Sequence, residues 1–176
     1  GSSINVFGVV RLVLPNSNAS QTSLTRGQVF NKINGTGLTV DNYRSLLSGD
    51  SYTLNLANYD DNNTADSSDD IINDNSEAIT LTKSVYTENP VYSTKIINLE
   101  DDKVGYLMYN GFVNEFDTEL NQAFGVFKAQ NIDHLVLDLR YNPGGSVATA
   151  AALGSMITGD FNNQVFATLQ YNEALQ

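Results

Sequence analysis

Residues 132–157 constrain the fold more than any other stretch of this chain. IDHLVLDLR, Ile132 to Arg140, is a near-continuous apolar run of strand length, and it passes through Tyr141-Asn142-Pro143-Gly144-Gly145 into the alanine-rich SVATAAALGSMI. Such a run marks a strand buried on both faces of a parallel sheet. Upstream, Val104 to Phe112 reads as another strand, with Asn114 or Asp117 as the N-cap of a helix to follow. In that helix Phe116, Leu120, Ala123, Phe124 and Phe127 fall on one stripe, opposite Glu, Asp, Gln and Lys. The stripe is a packing face, and its aromatics read as core rather than as a ligand pocket. Strand, helix, strand, glycine turn and helix together predict a right-handed βαβ crossover.

The glycine pair sits where the strand gives way to the helix. Glycines there remove side chains that would crowd the turn and leave backbone amides at a helix start. With the helix dipole behind them, Gly144, Gly145 and Ser146 are placed to hold a phosphate or the transient oxyanion of acyl transfer. No Gly-Lys-Ser/Thr follows and no GxGxxG is present, which weakens the phosphate reading. A tight connection whose glycines serve packing alone fits the motif equally well. A Ser-His-Asp reading of Ser146, His134 and Asp138 fails on distance. His134 and Asp138 are four residues apart on a strand, about 13 Å at the usual rise, too far for an orienting hydrogen bond. Asp138 and Arg140 point to one face of the strand and read as a pair that holds the turn in shape.

The first half of the chain has a different rhythm. Val6 to Pro15 reads as a strand closed by proline, followed by a turn at Asn16 to Ser20. Val29 to Ile33 reads as a short strand that ends on Asn34-Gly35, a dipeptide suited to a tight turn. Val40, Tyr43, Leu46 and Leu47 predict a short amphipathic helix stopped by Gly49. Tyr52, Leu54 and Leu56 alternate with Thr53, Asn55 and Ala57 as in a half-buried strand over Ser51 to Tyr59. Acidic and amide residues dominate 60–77, which reads as an exposed flexible loop between hairpin strands. Its acidic spacing resembles a calcium loop, but Ala65 and Ile71 stand where the glycine and the final carboxylate belong. Strands are expected at Ile79 to Val85 and Val91 to Leu99, with Pro90 between them. The fold class is therefore a two-domain chain, a mostly-β domain over 1–90 and an α/β domain over 91–176.

Composition narrows the partners. The formal charge of -11 argues against a nucleic-acid partner, and the absence of cysteine excludes disulfides and thiolate chemistry. No apolar run approaches the roughly 20 residues that span a bilayer. Three glycosylation triplets, beginning at Asn18, Asn34 and Asn62, decide nothing in a chain this rich in asparagine. Gly1-Ser2 reads as an added dipeptide, and Glu173 to Gln176 ends without a helix stop, so the chain reads as a piece of a longer protein. Two parallel strands make no stable sheet, so an unfinished edge that pairs with a second copy, giving a homodimer, is also expected.

Asp138-Leu139-Arg140, Tyr141, then Asn142-Pro143-Gly144-Gly145 and a small-residue helix resemble the hallmark of the carboxyl-terminal processing peptidases, or tail-specific proteases. The strand VGYLMYNGF and the helix after it stand in the order that family shows. Val9 to Gly49, with Leu-x-x-Gly-x-x-φ-x-x-Ile-Asn-Gly at its centre, resembles the PDZ domain these peptidases carry. The resemblance implies a PDZ-like β domain with its first strand missing, followed by the N-terminal part of a ClpP/crotonase-like α/β peptidase domain. It implies serine endopeptidase chemistry with a lysine general base, no cofactor, and substrates recognised through their C-termini in a bacterial cell envelope or periplasm. It carries an oxyanion-hole role onto Gly144 and Gly145 and a supporting role onto Asp138, Arg140 and Asn142. A peptide-binding role falls on Phe7, Gly8 and Val9, read as a degenerate carboxylate loop. The family's nucleophile and lysine lie well beyond the turn, and after Gly145 this chain has only Ser146 and Ser155 and no lysine. The expectation is that the chain alone is inactive. The competing reading is a non-catalytic PDZ-like scaffold for peptide binding or assembly.

Overall fold

The computed structural model describes residues 4–160, 164–168 and 170. The two ends named above, Gly1-Ser2 and Glu173 to Gln176, lie outside the described residues. The chain divides into two compact units, Gly1–Glu88 and Asn89–Gln176. Among the described residues no helix is long and apolar enough to cross a membrane.

Among its described residues the first unit is a five-stranded sheet with one short α-helix and a 3-10 turn at Ala19–Gln21. Its strands are β1 (Gly8–Val9), β2 (Val29–Ile33), β3 (Thr36–Gly37), β4 (Ser51–Asp60) and β5 (Ile71–Thr82), and α1 spans Tyr43–Leu46. Strand order is β1-β2-β4-β5, antiparallel throughout, with β3 folded back on β2. The β2-β3 turn forms at Asn34-Gly35, where φ is 51° and 78°. Two side chains lock it, since Asn55 Oδ1 accepts the Gly35 amide at 2.9 Å and Asn34 Oδ1 accepts the Thr53 amide at 2.8 Å. Val10, Leu24, Ile33, Leu38, Leu54, Leu56 and Ile79 form the buried core.

Four expectations for this unit need correction. The strand read over Val6 to Pro15 is laddered only at Gly8–Val9. Its partner strand begins at Val29, and Gly27, at φ 93°, donates to the Val10 carbonyl and ends the regular pairing. The helix is one turn, and Val40 lies outside it and is exposed, because Asn42 Oδ1 accepts the Thr39 amide and folds those residues into a turn. Gly49 does not stop it; Leu47 closes the turn in right-handed geometry. Ala57 is buried rather than wet, like its neighbour Leu56, where the β4-β5 register shifts between Asn55 and Ala57. The loop of 60–77 is shorter than composition predicts, because Ile71–Glu77 extends β5 alongside the polar end of β4. A strand pair needs backbone partners, and exposed polar side chains do not forbid it. Within the remaining loop the carboxylates of Asp60, Asp61 and Asp66 accept the amides of Asn62, Asn63 and Ser68, as in Asx turns.

The second unit holds β6 (Val91–Leu99), β7 (Asp102–Tyr109), α2 (Asp117–Gln130), β8 (His134–Asp138) and α3 (Val147–Ile157). The sheet order is β6-β7-β8, with β6 antiparallel to β7 and β8 parallel to it. Helix α2 is thus the crossover between two parallel strands. Leu120, Ala123 and Phe127 are its buried stripe, packed with Leu107, Tyr109 and Leu153. Phe124 stands edge-on to Phe127, with centroids 5.6 Å apart. Asn131, at φ 50°, closes the helix in left-handed conformation.

Neither Asn114 nor Asp117 is the N-cap of α2. A 3-10 turn over Asn114–Phe116 leads in, Phe116 holds the cap position without a side-chain bond, and Asp117 and Glu119 put negative charge in the first turn. Their carboxylates complement the helix dipole where a capping oxygen would have bonded an amide. Strand β8 is not buried on both faces. Leu135 and Leu137 pack on the core, whereas Val136, which alternation places on the opposite face, is 47% exposed.

Candidate functional site

The candidate site forms at the carboxyl ends of β7 and β8, the side on which open α/β sheets present ligand-binding loops. It begins at Asp138, whose side chain is 5% exposed. Arg140 folds back on it through Nε at 2.9 Å and Nη2 at 2.6 Å, and its own amide donates at 3.1 Å. The Tyr106 hydroxyl, from neighbouring β7, donates to Asp138 Oδ2 at 2.7 Å. The Arg140 guanidinium first, then the Tyr106 hydroxyl, holds the Asp138 carboxyl well below the usual carboxylate range, and the same contacts raise the pKa values of Arg140 and Tyr106. A carboxylate so saturated stays ionised and is unsuited to proton transfer. It fastens the end of β8 to β7 and to the turn that follows.

Asn142 comes next. Its Oδ1 accepts the Gly144 amide at 2.8 Å, and its Nδ2 donates to the Tyr109 carbonyl at 3.0 Å. One side chain therefore closes the turn on itself and ties it to the last residue of β7. Gly144 and Gly145 follow at φ 105° and 137°, conformations that residues with a Cβ adopt at a cost. Gly145 has a further reason to be glycine, because a Cβ there would lie 2.2 Å from the Phe112 carbonyl oxygen. That approach is a one-residue parallel bridge: the Phe112 amide donates to the Gly144 carbonyl at 3.0 Å, and the Ser146 amide to the Phe112 carbonyl at 2.7 Å.

Of the three amides singled out in the sequence, two are already engaged. Gly144 donates to Asn142 and Ser146 to Phe112, while the Gly145 amide donates no hydrogen bond among the described residues. Ser146 caps α3, accepting the Thr149 amide on Oγ at 3.2 Å, and the Ser155 hydroxyl donates to the Ala151 carbonyl at 3.0 Å. Both serines serve the helix. His134 lies outside the site, exposed, with Nε2 3.5 Å from Asp102 Oδ2. Phe7, Gly8 and Val9 belong to the first unit, where Gly8 pairs with Phe30 and Val9 with Val29 at the edge of the sheet. Phe7 stacks obliquely on Tyr59 with centroids 5.9 Å apart. Tyr106 and Phe112 join the site without a motif that marks them in the sequence. Tyr106 stands at the same level of β7 as Val136 on β8, and Phe112 lies beyond the strand, so neither has a sequence spacing that announces it.

Residues 103–174 match the sequence profile of peptidase family S41. The matched stretch lies within the second unit. Over 72 residues, 41% of this chain, it is 36% identical to a carboxyl-terminal-processing protease of Picosynechococcus sp., of which it covers 17%. A Bacteroides fragilis NCTC 9343 protein assigned to the S41 proteases has a crystal structure similar to this one, with a TM-score of 0.67 and 28% identity over 85% of this chain and 39% of that one. The photosystem II D1 C-terminal processing protease overlaps 85% of this chain and 40% of its own at 22% identity, with a TM-score of 0.48, too loose a likeness to carry an argument. The mixed α/β architecture is thus that of an S41 protease structure, and the chain spans less than half the length of each of these proteins.

Proposed function

We propose that the longer protein to which this chain corresponds is a serine endopeptidase of the C-terminal processing kind. Its Gly145 amide is one donor of the oxyanion hole. The observation that supports this is the Gly145 amide of the docked Gly-Gly turn, which donates no hydrogen bond among the described residues and lies near the start of α3, after the carboxyl end of a parallel strand. An acyl-transfer transition state puts negative charge on the former carbonyl oxygen, and a rigid amide aimed at that oxygen stabilises it without reorganisation. The nucleophile and its lysine base belong to sequence beyond Gln176, so the chain by itself lacks the activated hydroxyl that the reaction needs. The first unit is the PDZ-like domain, and it takes substrate C-termini by strand addition near Phe7, Gly8 and Val9. A cell-envelope location fits the same reading.

The test is cleavage of a peptide with a free apolar C-terminus, with the longer protein and this chain assayed in parallel. The reading predicts hydrolysis by the former alone. Binding of the peptide without hydrolysis by the longer protein overturns the catalytic reading and leaves a peptide-binding scaffold.

A further inference from the structure

We infer that Asn142 is a positioning residue that reserves the Gly145 amide as the outward donor of the turn, an inference that rests on the proposed oxyanion role of that amide. A Gly-Gly turn has two neighbouring amides that compete for one incoming oxygen, and its glycines leave the backbone free to choose between them. Here the choice is made by side-chain chemistry. Asn142 Oδ1 takes the Gly144 amide at 2.8 Å, which removes it from competition, and Nδ2 donates to the Tyr109 carbonyl at 3.0 Å, which fixes the turn to β7. On the other side Phe112 takes the Ser146 amide at 2.7 Å. Gly145 is left between two engaged neighbours, its peptide unit held by bonds it does not itself donate. A carboxamide is suited to this place because it carries an acceptor and a donor on one planar group. Aspartate keeps the acceptor and loses the donor; alanine loses both.

Amide hydrogen exchange on the 176-residue chain reads the arrangement directly. In the wild type the Gly144 and Ser146 amides are protected and the Gly145 amide exchanges as an exposed one. Asn142→Ala lowers protection at Gly144 by about tenfold or more, whereas Asn142→Asp keeps it, and both leave α2 protected. Equal protection at Gly144 in wild type and Asn142→Ala overturns the inference, as does protection of Gly145 in the wild type. In the longer protein the same variants separate positioning from mere folding. Misaiming a donor costs transition-state stabilisation, so Asn142→Ala lowers kcat by roughly tenfold to a hundredfold with KM little changed, and Asn142→Asp falls between. A full kcat in Asn142→Ala overturns the role. Failure of the wild-type longer protein to cleave any peptide defeats the peptidase reading instead, and the exchange data then decide the claim about Asn142 by themselves.

Discussion

Gly145 and Phe112 approach so closely that a Cβ on Gly145 would lie 2.2 Å from the Phe112 carbonyl oxygen, while at Gly144 a Cβ would meet nothing within 4 Å. The two glycines therefore differ in what they contribute. Gly144→Ala carries conformational strain alone, roughly 1–3 kcal/mol for a positive φ. Gly145→Ala carries that strain and must also part the turn from Phe112, so it is the more destabilising of the two. Urea denaturation of both variants checks the order. Equal losses contradict the docking described here.

The Asp138 cluster gives the chain an acid-sensitive contact with a defined sign. Its carboxyl titrates lower in the folded chain than in the unfolded one, where about 3.9 is the ordinary value. The unfolded state then binds more protons between those two values, so this contribution is complete above the unfolded value and is lost as pH falls towards the folded one. Asp138→Asn is expected to be less stable than wild type at neutral pH, and the gap narrows as the solution is acidified below about 4. Denaturation midpoints across that range are the measurement. A gap that stays constant with pH contradicts the pairing.

Phe127 is 2% exposed and belongs to the core cluster that joins α2 to Leu107 and Tyr109 of β7. Truncation to alanine leaves a cavity that the strands cannot collapse into, and a loss of about 3–5 kcal/mol in the second unit is expected. Gly105 lies beneath this ring, since a Cβ there would meet Phe127 Cδ1 at 3.0 Å and Ile132 Cδ1 at 2.7 Å. Gly105→Ala is therefore also destabilising, and its effect is smaller in a Phe127→Leu background. Additivity of the two changes in chemical denaturation contradicts the contact.

Among the described residues strand β8 has β7 as its one strand neighbour, and we expect two copies of the chain to pair along its other edge. Light scattering across a concentration series detects the dimer, and Val136→Lys should abolish it. A monodisperse monomer at high concentration contradicts this expectation.

Much of this fold is legible in the residues because local signals and burial agree. Asn34-Gly35 gave a turn, 29–33 and 91–99 gave strands of the stated bounds, and the α2 stripe gave its buried face. The misread strand bounds share a cause, which is that pairing partners are invisible in sequence. Val6 to Pro15 is β-branched enough for a strand but meets a partner over two residues, and Ile71–Glu77 is polar enough for a loop but meets β4. At the site, the motif exposes Gly144 and Gly145 as unusual but not the difference between them. That difference comes from the Phe112 carbonyl, 33 residues before Gly145 in the chain.

The central claim is that the Gly145 amide stabilises charge in a peptide-bond transition state. The most direct measurement is kcat for a peptide with a free apolar C-terminus, comparing the wild-type longer protein with its Gly145→Ala variant, the folding of each confirmed by circular dichroism. A displaced donor predicts a fall in kcat of about a hundredfold or more with KM nearly unchanged. A folded variant that cleaves at the wild-type rate contradicts the claim.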